Sequence, residues 1–192
     1  MWHDRTVSII TKRGDAGTTD LMFGKSCAKT DRRVEVLGAL DELNAALGVV
    51  RVCLERVDFL DLIDGLQQRL VAAMGLVATL PEDLERYRSA GYRGIEAADV
   101  EWLERHALAC EQSGVRFTDW ARPGEKGALA SAQLDLARTV ARRAERALWQ
   151  LHAEQGPLTE AQLLFANRVS DLLWLMARTA EIQPEQAAAS TC

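Results

Sequence analysis

From Arg33 onward, apolar side chains return every three or four residues, and a bundle of helices is the architecture that can bury such a pattern. Val36, Leu37, Leu40, Leu43, Leu47 and Val50 mark one stripe of about twenty residues. Leu62, Leu66, Leu70, Ala73 and Val77 mark a second, over 58–79, which stops before Pro81. A third helix is expected over 97–112, a long fourth over 128–154, and a fifth to about Glu181. Between the last two lies GPLTEAQ, where Thr159 and Gln162 have the spacing of a capping box. The polar stretches EDLERYRSAGYRGIEAA (82–98) and SGVRFTDWARPGEKG (113–127) read as loops. Strand signals are weak, VSII at 7–10 being the only β-branched cluster. The expected fold is therefore all-α, five helices behind a non-helical N-terminal segment. The apolar share of several helices is wide enough to suggest an oligomer.

At 192 residues the chain suits a single domain, which would bury roughly 70% of its unfolded surface. A net charge of −5 argues against general nucleic-acid binding, which needs a basic face to displace counterions, but leaves room for a local basic pocket. Cys27, Cys53, Cys110 and Cys192 have no CxxC spacing, so reduced thiols are expected rather than disulfides or a zinc site. MWHDRTVSII lacks the apolar run of a signal peptide, and no stretch reaches membrane-spanning length; a soluble, cytoplasmic protein is expected. No Glu-x-x-His pair exists, which removes a di-iron bundle. His3, His106 and His152 have no evident Ser or Cys partner, and the latter two read as helix-surface residues.

Three segments could carry chemistry. TKRGDAGTTD (11–20) offers glycines that let a backbone approach a ligand, threonine hydroxyls as donors, and Lys12, Arg13, Lys25 and Lys29 around them. That composition suits a polyphosphate cradle and equally a solvated turn, and the Walker A pattern is absent. In ARTVARRAERAL, Arg138, Arg142 and Arg146 share one helix face with Glu145 beside it. They form either a solvated face or a surface that meets a phosphate or a carboxylate such as Asp41 or Glu42. In FANRVSDLLWLMA, Asn167, Arg168, Ser170 and Asp171 interrupt an apolar helix, for core hydrogen bonds or for a ligand.

Taken in order, TKRGDAGTTDLMFGK with Lys29 and RRVEVLGALDELNAALG, then ARTVARRAER, then NRVSDLLWLMAR, resemble the PduO-type ATP:cob(I)alamin adenosyltransferases over nearly the whole chain. The resemblance implies a five-helix bundle forming one domain, with an ATP-binding loop at 1–30, a bundle over 33–182 and a frayed tail at 183–192. It implies a homotrimer with active sites between subunits, and transfer of the 5′-deoxyadenosyl group of ATP to the Co(I) of a reduced corrinoid, releasing triphosphate. Cobalt, not a side chain, would then be the nucleophile, and the protein would supply binding, orientation and charge. By the same resemblance, Thr11, Lys12, Gly14, Asp15, Gly17, Thr18 and Thr19 wrap the triphosphate, and Lys29 meets the phosphates or ribose. Arg142 contacts the phosphates, while Glu145 and Asn167 hold the nucleotide and its magnesium, Glu145 as the metal ligand. Asp41 and Arg138 form a salt bridge between subunits that orients the site. A corrinoid reductase and an adenosylcobalamin-dependent enzyme are the implied partners.

One segment departs from the family pattern. Where the family commonly has Phe-x-x-Pro-Gly-Gly, with the phenylalanine crowding the lower face of cobalt, this chain reads WARPGEKG. Trp120 takes the aromatic position, with Phe117 a less well aligned substitute. A tryptophan has the apolar face to exclude water and press on a corrin ring; it also has the size to plug the end of a bundle.

Overall fold

The structure, a computed structural model, describes residues 10, 12–54, 56–116, 119–156 and 158–182. Thr11, Phe117, most of VSII and the tail 183–192 lie outside the described residues.

A short hairpin, β1 (Thr18–Asp20) against β2 (Ser26–Ala28), leads into α1 (Arg32–Cys53). Then follow α2 (Val57–Val77), α3 (Leu84–Ser89), α4 (Ala97–Gln112), α5 (Leu129–Gln155) and α6 (Glu160–Thr179). The five long helices are those the periodicity predicts, and two elements are additional. Residues 82–98 are not all loop: α3 forms there because Tyr87, 3% exposed, turns into the body of the protein and donates to the carbonyl of Arg93 at 3.0 Å. One buried residue in six gives no periodic signal. The N-terminal segment holds the antiparallel hairpin, whose three-residue strands are too short to show alternation.

Helix ends follow local chemistry. Asp31 caps α1 by accepting from the Arg33 N–H at 2.8 Å. Thr159 and Gln162 form the reciprocal capping box at α6, with the Thr159 N–H donating to Gln162 Oε1 at 2.8 Å. His152 is no bare surface residue: its Nδ1 accepts from the Leu158 N–H at 3.0 Å and holds the α5–α6 turn. His106 is likewise packed edge-on to Trp102, with ring centroids 4.6 Å apart, and burial lowers its pKa, Arg105 and Arg69 adding to the effect.

Helix α5 packs between α1 and α6, with α4 on α6 and α2 on α1. Helices α1 and α5 run antiparallel, since Arg32 at the start of α1 binds Glu154 at the end of α5 at 3.1 Å, and Glu42 pairs with Arg143. One continuous apolar core results, with Leu47, Ile63, Leu66, Leu103, Leu134, Leu172 and Met176 at its centre. The bundle closes where α2 meets α4. Arg69 reaches Asp99 at 2.9 Å and lies 3.8 Å over the Trp102 ring, which rests on Gly65. A Cβ at Gly65 would stand 2.7 Å from the Trp102 ring. Helix propensity favours Gly65→Ala by about 1 kcal/mol, but overpacking a ring held by Arg69 and His106 costs about 1–3 kcal/mol. Gly65→Ala should therefore lower the urea midpoint; a midpoint at or above the parent's would mean the ring swings aside freely.

Candidate active site

The first half of the site is the N-terminal loop. Asp15 N–H turns back to the Lys12 carbonyl at 3.3 Å and Gly17 N–H to that of Gly14 at 3.2 Å, so the chain coils tightly before β1. Gly17 sits at φ +84°, where a side chain is strained. At Gly14 the Lys29 ammonium packs closely on the backbone, 3.0 Å from where a Cβ would stand. The Lys29 N–H in turn donates to the Gly17 carbonyl at 2.8 Å. Lys12, Gly14, Asp15, Gly17, Thr18, Thr19 and Lys29 are thus gathered in one loop, and all but Gly14 and Thr19 are exposed. Lys25 is not part of this group; its ammonium lies between Glu82 and Asp83 at 3.6 and 3.8 Å. The loop is moored by the Met22 N–H on the Ala78 carbonyl at 3.0 Å, so it sits where α2 ends and α1 begins.

The second half lies on α5 and α6. Glu145 Oε1 accepts from Asn167 Nδ2 at 3.0 Å, and Asn167 Oδ1 accepts from Arg168 at 2.7 Å. One turn beyond Asn167 stands Asp171. More than half of its side chain is open, yet desolvation raises its pKa; Arg168 pulls it down, Glu145 pushes it up and Arg142 pulls it down. Arg142 is exposed and has no ion pair or hydrogen bond among the described residues. Next to Glu145 and Asn167 a groove of about 510 Å³ runs between the helices, walled by Trp149, His152, Leu163 and Leu164.

Arg138 is held differently. Its Nε donates to Asp135 Oδ1 at 3.0 Å within the same helix, while Asp41 on α1 is exposed and has no partner among the described residues. Within one chain, then, Asp41 and Arg138 are not paired, and Glu42 meets Arg143 rather than the predicted arginine face. Arg146 lines a separate groove with Glu35 and Glu42.

The two halves are not together in one chain. The loop lies at the end where α5 finishes, and Arg142 precedes Glu154 by twelve residues, about 18 Å along the axis. Trp120 sits at the other end, just before α5, a helix about 40 Å long. It is 82% exposed, so it does not plug the bundle. The turn that carries it is closed by Arg122 on Glu125 at 2.6 Å.

Sequence reasoning missed Asp135, which is 2% exposed, and its partner Arg178, 8% exposed. The signal was present as a carboxylate lying between Leu134 and Ala137 on the apolar stripe of α5. Among the described residues no group of three or more His, Cys, Asp or Glu could hold a metal by itself, and no helix is long and apolar enough to cross a membrane.

Comparison with known proteins covers this same architecture. A sequence model described as cobalamin adenosyltransferase matches residues 9–180. The corrinoid adenosyltransferase PduO of Salmonella typhimurium is 35% identical over 184 residues, 94% of this chain. The chain spans about half the length of that relative, 52%. A corrinoid adenosyltransferase of Citrobacter freundii is 34% identical, with 94% of this chain covering 98% of its length. A solved variant of the PduO-type ATP:corrinoid adenosyltransferase from Lactobacillus reuteri, complexed with cobalamin and ATP, has a TM-score of 0.81 at 30% identity, covering 91% of each chain. A second variant of it, complexed with ATP, has a TM-score of 0.78 at 28% identity, over 90% of this chain and 94% of its own. The helical order, the lysine-roofed loop and the α5–α6 polar face thus sit in a chain that belongs to the cobalamin adenosyltransferase family.

Proposed function

We propose that this protein transfers the 5′-deoxyadenosyl group of ATP to the cobalt of a reduced corrinoid. Co(I) of the substrate donates its electron pair to the ribose C5′, the C5′–O bond breaks, and that bond's pair leaves on triphosphate. The product holds a Co(III)–carbon bond. The observation that carries this reading is the pairing, in a chain of this family, of a lysine-roofed glycine loop with an exposed, unpaired arginine beside a Glu145–Asn167 couple.

The residues divide the task by charge. Thr11, Lys12, Gly14, Asp15, Gly17, Thr18 and Thr19 form the triphosphate loop, and Lys29 lies across it. Arg142 takes the growing negative charge of the leaving group with its guanidinium fork. Magnesium binds through one or two carboxylates plus substrate phosphates, and Glu145 fits that demand: Asn167 engages one of its oxygens and leaves the other for the ion. Where magnesium accompanies the nucleotide, it neutralises phosphate charge there. The separation of the two halves within one chain supports assembly as a homotrimer, loop from one subunit and arginine helix from its neighbour, with Asp41 and Arg138 bridging them. Trp120 and Phe117 face the corrinoid. A corrinoid reductase supplies Co(I), and an adenosylcobalamin-dependent enzyme consumes the product, all in the cytoplasm.

Incubation with ATP and cob(I)alamin tests the reaction directly: triphosphate and the alkylated corrinoid should appear in equal amounts. Tight binding of both substrates without triphosphate release would instead identify a cofactor carrier. Trp120→Ala gives a second result. Loss of an axial donor makes Co(II) easier to reduce, so this variant should slow turnover from Co(II) with a reductant by about tenfold, and turnover from pre-reduced Co(I) much less. Equal rates to the parent in both formats would remove Trp120 from the mechanism.

A further inference from the structure

Beneath Arg138 lies a buried charge network that joins α5 to α6. Asp135 divides its carboxylate between two arginines: Oδ1 accepts from Arg138 Nε at 3.0 Å and Oδ2 from Arg178 Nη2 at 2.6 Å. The same Nη2 donates to Glu181 Oε1 at 2.9 Å and reaches Ser131 Oγ at 3.1 Å, and that hydroxyl donates to Glu181 at 2.6 Å. Two guanidiniums thus face two carboxylates, and the charges balance. A buried carboxylate is tolerated only with this degree of pairing. Arg138 is the outermost member, with its side chain 24% exposed against 3% for Asp135 and 9% for Arg178.

We propose that Asp135, itself fixed by Arg178, is a positioning residue that sets the guanidinium of Arg138 for its contact outside the chain. The inference rests on the role given to Arg138 above. A guanidinium is planar, so a bond at Nε restrains its rotation about the side-chain axis. That bond also leaves both Nη groups, which have no partner among the described residues, for an acceptor outside the chain. Bonded to Arg138 alone, the Asp135 carboxylate would be free to turn about its own side-chain bonds. The second bond, to the other carboxylate oxygen and from another helix, pins it. The network is more than a clamp between α5 and α6: it transmits the register of α6 to a site residue on α5.

The test is a double-mutant cycle on the full chain with ATP and cob(I)alamin. Asp135→Asn keeps the shape but removes the charge that draws Arg138 inward, and Arg138→Ala removes the group itself. We expect each to lower kcat by about tenfold or more, and the double variant to be no slower than Arg138→Ala. Ser131→Ala is the structural control: it touches Arg178 but neither side of the Asp135–Arg138 bond, so Tm should fall while kcat stays within about twofold. Losses that multiply in the double variant would show that Asp135 acts independently of Arg138 and overturn the inference while leaving the role of Arg138 intact. Parental rates for Arg138→Ala would overturn that role and the inference with it. Should Asp135→Asn not fold, Arg178→Lys, which keeps a donor to Asp135 but loses the fork, closes the same cycle: losses that fail to multiply support the inference, and losses that multiply overturn it.

Discussion

Replacing Arg142 with alanine is expected to lower kcat/KM for ATP by about two to three orders of magnitude, with little change in Tm. The contrast follows from how the arginines of α5 are engaged. Arg138 is tied to Asp135 and Arg143 to Glu42, whereas Arg142 stands exposed on the same helix with no partner among the described residues. The fold therefore gains little from its charge, and surface substitutions away from such features fall within about 0.5 kcal/mol. What Arg142 does touch is the field of the Glu145–Asp171 face, where it lowers the pKa of Asp171 against the stronger effect of desolvation. A cation left unpaired beside two carboxylates and an amide is suited to an anionic ligand. ATP turnover and Tm measured on one preparation check the point. A loss of stability as large as the loss of ATP use would count against a ligand role.

The second large effect is a recovery. Lys29→Ala and Arg142→Ala should each be nearly inactive alone, yet oligomers assembled from an equal mixture should regain about one quarter of parental activity. The fraction comes from the proposed geometry: in a closed ring of that kind each site would take its loop from one subunit and its arginine helix from the next. Random mixing leaves about one site in four with both halves unaltered. The structure motivates this arrangement because about 18 Å of helix separates Arg142 from the end of the bundle where the loop is moored. Co-expression of the two variants, followed by the triphosphate assay, reads the result. A mixture as inactive as its components would mean that loop and arginine serve the same site within a single subunit.

Much of the fold was legible because it is written locally. The stripe from Val36 to Val50 needs only its own spacing to declare a helix, and the same eleven-to-eighteen-residue logic found the other four long helices. Thr159 and Gln162 are three residues apart and cap a helix wherever it lies. Helix α3 escaped because its stability comes from burying Tyr87, a tertiary fact, and the hairpin because strands of three residues have no period. The site was legible by half. Resemblance nominated the loop, Arg142, Glu145 and Asn167 for the candidate site, but neither composition nor spacing could say that Lys29 lies against Gly14 or that Lys25 is taken up by Glu82 and Asp83.

By itself the sequence determined the number of long helices, where they begin and end, and the family to which the chain belongs. The helices depend on residues within a few turns of one another, and the family on the order of short segments along the chain. Only the tertiary structure decided which polar groups meet: Asp135 with Arg178 across forty-three residues, Arg33 on the Val77 carbonyl across forty-four, Trp120 left in solvent. Such encounters depend on the relative height and rotation of two helices. Those quantities are fixed by how the whole core packs, and neither helix carries them in its own sequence.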